Sequence, residues 1–230
     1  IKTANAVCGV RGTEFETIVA ADGSLRVQVT EGQVGVNADD GEAVLDPGQE
    51  VEGNEGGLNA SGPMPENTDW EAWNKEKEDR LRNNAKVIVN GVKGKIERRK
   101  NSLEKLRAEQ EKLKKLFQRS KRRAGMDPRA KGEIKVIQDK LKDIADQIAD
   151  IGDETDSQFG LVDHFADLAE DPRFGMIDGK YIQMEAENLR RVKKMLDKMV
   201  SEGTDISMAA MDQMLDDSRK GKRDTLKEKK

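Results

Sequence analysis

A single cysteine, Cys8, and a single histidine, His164, leave most site chemistries without their parts. One thiol excludes an intrachain disulfide framework and a cysteine-rich metal site. One imidazole excludes a histidine-based zinc site and a Ser-His-Asp triad. Aromatic residues make up only 3% of the chain, too few to fill one large core, and no apolar run approaches the ~18–20 residues that span a bilayer. No signal peptide is visible either. The chain opens on Ile1 in what reads as a strand, so the expectation is a mature product or a fragment whose β-domain begins upstream.

What the sequence does have is charge. Of its 230 residues 37% are charged and 35% hydrophobic, the mix of long exposed helices that bury a narrow apolar seam. The net charge of −4 conceals a division. Residues 1–65 hold three basic residues (Lys2, Arg11, Arg26) against eleven acidic ones, whereas residues 76–135 hold 21 Lys/Arg against 9 Asp/Glu. That asymmetry predicts two modules with different surroundings.

The acidic part reads as β-structure. Glu14 to Ala20 alternates, with Phe15, Thr17 and Val19 on one side and Glu14, Glu16 and Ile18 on the other. Ala21-Asp22-Gly23-Ser24 supplies a turn, and Leu25, Val27 and Val29 alternate with polar residues. Glu31-Gly32 reads as a second turn before Val34 and Val36. Asp39-Asp40-Gly41 is another, and Asp46-Pro47-Gly48-Gln49 a β-turn after the short strand Ala43 to Leu45. Short strands about ten residues apart indicate a small antiparallel sandwich or roll. The core expected is Val10, Phe15, Val27, Val29, Val34 and Val36. Arg11 and Glu14 could form a local ion pair or touch a partner.

Three ordered blocks in this part carry a family pattern. They are Thr3 to Phe15 (with Ala6-Val7-Cys8-Gly9-Val10-Arg11-Gly12-Thr13), Val27 to Val36 (with Glu31-Gly32-Gln33-Val34) and Leu45-Asp46-Pro47-Gly48-Gln49. Together they resemble the second half of a FecR-type domain, over residues 1 to about 53. Asn5 stands where that pattern usually has Pro, and Cys8 where it has a small residue, often Ala. The resemblance implies an extracytoplasmic β-domain. Members of the family include transmembrane regulators that relay an outer-membrane receptor signal to an extracytoplasmic-function sigma factor, and exported envelope proteins with no such partner. The regulators follow the domain with a short receptor-contacting segment; here a long charged helical region follows.

Glu52 to Asn67 is rich in Gly and Pro and reads as a linker. Asn67 or Thr68 then caps a helix, with Glu71 placed for a capping box and Trp70 and Trp73 on one face to dock it. Leu81, Ala85, Ile88, Val92, Ile96, Leu103, Leu106, Leu113 and Phe117 form a heptad seam, interrupted by Arg99 and Gln110, with a kink expected at Gly91 and Gly94. Gly125 to Pro128 stops this helix. A second seam follows: Ile134, Ile137, Leu141, Ile144, Ile148 and Ile151, so the pair is expected to fold as an antiparallel coiled-coil hairpin. Further helices are expected over Phe159 to Ala169, Lys180 to Val200 (with Tyr181, Met184, Leu189, Val192, Met195, Leu196 and Met199) and Ile206 to Leu215, before a charged end from Ser218.

The basic run Lys112 to Arg123, with Lys114, Lys115, Lys121, Arg122 and Arg123, reads first as a solvated helix end. Its second reading is a contact for an anionic envelope surface or partner protein. Nucleic acid is disfavoured, because stacking aromatics and a groove-entry motif are lacking. Asp150, Asp153, Glu154 and Asp156 lack the glycine and terminal Glu of a calcium loop, and Gly91 to Lys95 lacks the spacing of a phosphate loop. No catalytic, cofactor or metal site is expected.

The fold class expected is α+β in separate modules: a FecR-like β-module over 1–53, a linker over 54–67, a coiled-coil hairpin over 68–155, more helices over 156–217 and a charged tail over 218–230. The function expected is that of a non-enzymatic exported protein of the periplasm or cell envelope, with a protein- or glycan-binding β head on a coiled-coil stalk. The alternative is a FecR-like signalling regulator of a sigma factor. The partner expected is a protein or an envelope polymer, membrane contact would run through a segment upstream of Ile1, and the coil offers a surface for oligomers.

Overall fold

Val27 and Val29 are odd-numbered, Val34 and Val36 even, and all four are fully buried in one cluster. A strand alternates faces with period two, so both pairs can point inward only if one residue is inserted between them. The computed structural model, which describes residues 3–38, 41–124 and 127–227 (the side chains of 10–12, 128 and 206–227 apart), shows how. Strand β1 (Val7–Val19) pairs antiparallel with β2 (Leu25–Ala38), and the register shifts between Arg11 and Glu14 and again between Glu14 and Phe15. Gly32, at φ 78°, takes up the bend that this irregularity demands of β2. Glu31-Gly32 is therefore a bend inside one 14-residue strand, and the turn expected there is absent. Strand β1 has the same change of parity, since Ala6 and Cys8 are buried and Phe15 packs against the same cluster.

Four shorter strands complete an antiparallel sheet: β3 (Gly41–Leu45), β4 (Gln49–Asn54), β5 (Gly57–Leu58) and β6 (Gly62–Pro63). The first half of β2 pairs β4 and its second half pairs β3, while β5 and β6 both pair β4. The stretch read as linker thus contributes two short strands. Leu45 and Val51 join the valine cluster and Leu58 packs against it, so one face of the sheet supplies its own core. The side chain of Val10, also expected in that core, lies outside the described residues.

The opposite face is polar and receives a helix. Glu16, Gln28 and Glu50 lie abreast across β1, β2 and β4, with Ile18, Arg26 and Glu52 beside them. Helix α1 (Trp70–Arg123) starts against this row. Its N-cap is Asp69, whose Oδ1 accepts the Ala72 N–H at 2.9 Å. Thr68 does not cap, because its hydroxyl accepts a hydrogen bond from Gln28 at 2.7 Å. Trp70 and Trp73 meet edge to face, 5.9 Å apart, and the Trp73 indole donates to Glu52 at 3.0 Å.

By its contacts the chain divides into two units, Ile1–Arg98 with Asp153–Lys193, and Arg99–Gly152 with Lys194–Lys230. Three helices supply both: α1, α2 (Pro128–Glu170) and α3 (Gly179–Lys227). The architecture is α+β. In the first unit Leu81, Ala85, Ile88 and Val89 pack with Phe165 and Ile182, and Ala21 of the β1–β2 turn joins them. The α1 backbone leaves helical geometry at Asn84 (φ −126°, ψ 21°), about two turns before the first of the glycines expected to kink it. There the α2–α3 loop intrudes: the Ile177 N–H bonds to the Arg82 carbonyl at 3.2 Å, and the Arg82 guanidinium bonds to the Phe174 carbonyl at 2.6 Å. Gly91 instead makes room for Glu55, whose Cγ would lie 2.6 Å from any Cβ at that position.

Helices α2 and α3 each run through an expected break. Thr155 and Gln158 are buried and continue the spacing from Ile148 and Ile151 to Val162 and Phe165, so α2 does not stop at 155. Gly203 is buried inside α3, where a Cβ would meet Ile148 at 2.9 Å; it serves close helix approach and does not end a helix. On α3, Ile182, Ala186, Leu189 and Leu196 are buried while Met184 and Met195 are exposed, because the inward stripe runs through 182, 185, 189, 192, 196 and 199. The side chains expected to line the last helix from Ile206, and the charged end, lie outside the described residues.

In the second unit Leu103, Leu113 and Phe117 of α1 are buried, as are Ala130, Leu141, Ile144 and Ile148 of α2 and Leu196 of α3. Gln110, fully buried, donates to the Gly203 carbonyl at 2.6 Å, and Arg107 pairs with Glu202 at 2.6 Å. Asp127 caps α2 through the Arg129 N–H, with Pro128 at the first helical position.

Candidate binding sites

The β-module carries an open groove of about 490 Å³ where its polar face meets the start of α1. The β1 irregularity sets Glu14 out on one side, its carbonyl held by the Thr30 hydroxyl at 2.9 Å. Glu16 and Gln28, abreast in the register, form the floor. The segment after β6, anchored by the Met64 N–H on the Gly48 carbonyl at 2.7 Å, brings Met64 and Glu66 to the far wall. The Trp70 ring closes one end, steadied by Trp73 and by the Arg26 guanidinium 5.7 Å from its centroid. Arg26 is itself bound to Glu50 through two nitrogens, at 2.6 and 3.1 Å. Glu14, Glu16 and Glu66 thus give the groove a negative field beside one indole ring. Glu14, expected as a contact residue, lies in this groove; the side chain of Arg11 lies outside the described residues.

Behind the groove the face is bolted to α1 by charge. Glu52 receives the Trp73 indole and the Lys77 ammonium, the latter at 2.6 Å. Burial works against ionisation of Glu52, but the hydrogen bonds from Lys77 and Trp73 outweigh it and hold the carboxyl below its ordinary range. Burial likewise opposes the Lys77 charge, and the Glu52 carboxylate overcomes it and raises the ammonium above its usual value. Asp22, with no exposed surface, accepts from the Ser24 N–H and hydroxyl and pairs with Arg80 at 2.6 Å, and Arg80 also binds Glu55. Lys95, almost wholly buried, bonds to Asn5 Oδ1 at 3.1 Å and the Asn54 carbonyl at 3.4 Å. These groups fix the Asp22-Gly23 turn and the β4–β5 turn on α1. Burial pushes the Cys8 thiol up.

The basic run is spread over several environments. Lys114 lies 3.6 Å from Glu111 one turn away, Lys115 is exposed and Lys121 half-buried. Arg123 pairs with Glu133 of α2, which also accepts the Ser120 hydroxyl at 3.0 Å. Arg122 and Arg123 flank a groove of about 820 Å³ between α1 and α2, whose floor is Leu116, Val136 and Ile137 and whose rim also holds Arg119. The sequence reading found its cations but missed that floor. Leu116 and Val136 fall off the heptad seam, and that departure was the available signal. It missed the groove role of Trp70 too, reading the ring first as a docking contact.

Among the described residues no group of three or more His, Cys, Asp or Glu side chains could hold a metal ion, and no helix is long and apolar enough to cross a membrane. Comparison with protein-family models, curated proteins and solved structures finds no match to this chain.

Proposed function

We propose that the chain is a non-enzymatic protein of the cell envelope, whose β-module binds a protein or glycan and whose helices act as a coiled-coil spacer. The observation that carries this reading is the groove at the sheet–helix junction. An indole ring beside three carboxylates, two amides and two hydroxyls is suited to a ligand rich in hydroxyls or amines, which donate to carboxylates while their C–H faces stack on the ring. The resemblance of Thr3 to Phe15, Val27 to Val36 and Leu45 to Gln49 to a FecR-type domain supports an extracytoplasmic address. For the β-module the finer description that suits its self-packed face is a small roll.

The finer description of the second unit is an antiparallel coiled-coil hairpin. Positions 103, 106, 110, 113, 117 and 120 on α1 and 130, 134, 137, 141, 144 and 148 on α2 step by three and four, and all are buried or half-buried. The Arg123–Glu133 and Ser120–Glu133 contacts near the α1–α2 turn support the same arrangement.

Titration of the full chain with solubilised cell-wall fragments, followed by the fluorescence of Trp70 and Trp73, tests the ligand. Saturable binding weakened about tenfold or more by Trp70→Ala and by Glu14→Gln identifies a glycan. Absence of binding with the same groove variants losing a cross-linked protein partner identifies a protein. Fractionation that leaves the chain in the cytoplasm refutes the reading.

A further inference from the structure

We propose that the groove between α1 and α2 in the second unit is a docking cleft for an acidic amphipathic helix of a partner protein. Three observations converge. The floor is aliphatic and open to water: Leu116 is 46% exposed and Val136 56%, with half-buried Ile137 of the α2 seam beside them. Among the described residues eight large hydrophobics are exposed, and two of them fall in this one cleft.

The rim is cationic. Arg119, Arg122 and Arg123 line it, and Lys112 and Lys115 stand on the same helix. Its one carboxylate, Glu133, is already engaged by Arg123 and Ser120. Among the described residues neither Arg119 nor Arg122 has a carboxylate partner. The cleft therefore offers guanidinium groups to an incoming anion while its own negative charge is neutralised.

The shape selects the occupant. Two packed helices leave a furrow along their seam that takes the ridge of a third helix, its apolar residues at i, i+3, i+4 and i+7. The arginines all stand on α1, along one side of an aliphatic floor that opens between two helices, a geometry that suits the ridge of a helix better than a flat bilayer. An acidic amphipathic helix supplies both complements at once: aliphatic anchors for Leu116 and Val136, and flanking carboxylates for bidentate pairing with Arg119 and Arg122. This site is independent of the β-module groove and stands or falls separately from it.

The test uses the full chain and a fluorescein-labelled synthetic helix of three heptads, with leucine at the first and fourth positions and glutamate at the flanking ones. Fluorescence anisotropy is expected to show saturable binding, at least about tenfold tighter than for a peptide of the same composition with its leucines scattered. Leu116→Ser with Val136→Ser, and separately Arg119→Glu with Arg122→Glu, should each weaken it about tenfold or more. All four side chains are exposed, and unchanged helical circular dichroism identifies variants that keep the fold. Binding indifferent to either pair, or no preference over the scattered peptide, overturns the proposal. So does flotation with phosphatidylglycerol-containing vesicles that both pairs abolish, in the absence of peptide binding, since that gives the cleft to a bilayer.

Discussion

Arg80 is the cation on which two buried carboxylates depend, and removing it gives the sharpest measure of how the β-module is held to α1. Asp22 has no exposed surface and Glu55 has 10%, while Arg80 retains 26%. Asp22 keeps two bonds from Ser24 without Arg80. Glu55 keeps none: its Oε2 is buried with no hydrogen-bond partner among the described residues, and its Oε1 is the one bound to Arg80. Breaking a buried ion pair from one side costs about 3–5 kcal/mol, because a charge is left uncompensated, and the partial exposure of Arg80 argues for the lower end. Arg80→Met is therefore expected to cost about 3 kcal/mol, a fall in Tm of about 6–12 °C for a chain of this size. Trp70 and Trp73 belong to the same unit as Arg80, so their fluorescence in a urea titration reads the unit concerned. Adding Asp22→Asn and Glu55→Gln removes both charges, and the triple variant should return to within about 1 kcal/mol of the parent. If Arg80→Met costs less than about 1 kcal/mol, or the triple variant is no better than the single, the carboxylates are not held as described.

Glu52 and Lys77 set the pH limits of the same junction. The Glu52 carboxyl is depressed on folding, so its contribution is present above about pH 4.3 and is lost as pH falls through the lower folded value. Lys77 is raised, so its contribution is present below about pH 10.4 and is lost as pH rises through the higher folded value. Urea titrations across pH should show a plateau between these limits, and Glu52→Gln should flatten its acid edge. Cys8 is buried with its thiol pushed up, so a thiol reagent at pH 8 should label the native chain far more slowly than the chain in denaturant; equal rates contradict its burial. In the second unit Leu103 is fully buried, and Leu103→Ala should cost about 2–5 kcal/mol by circular dichroism melting, whereas exposed Val87→Ala should change little.

Periodicity made most of the elements legible. All nine residues assigned to the α1 seam are buried or half-buried, and Ile134 to Ile151 behave likewise on α2. The failures share a cause: side chains whose type disagrees with their position. Gly32 reads as a turn because the sequence does not show that β1 brings a compensating irregularity opposite it. The breaks expected after 155 and between Val200 and Ile206 do not occur, and the glycines near them, Gly152 and Gly203, serve where another helix comes close, through Val200 and Ile148 respectively. Thr155 and Gln158 hid the continuity of α2 by being polar on the inward stripe. Neither groove was legible, because each is built by residues far apart in sequence: Glu14 with Trp70 in one, Leu116 with Val136 in the other.

Those polar residues on inward stripes explain how helices of such repetitive composition find one register. An apolar seam of leucine and isoleucine tolerates a slip of three or four residues, since one aliphatic side chain replaces another at small cost. A polar residue does not. Slide α1 by one turn and the Lys95 ammonium loses Asn5 and the Asn54 carbonyl, leaving a buried charge that costs several kcal/mol. In the second unit the same slip takes Gln110 from the Gly203 carbonyl. Glu185, inward on α3 and paired with Lys93 at 2.9 Å, does the same for the first unit. In the sequence Gln110 reads as an interruption of the α1 seam. Physically each is a registration mark: the seam supplies attraction, and Lys95, Gln110 and Glu185 determine which of several equally attractive alignments is the native one.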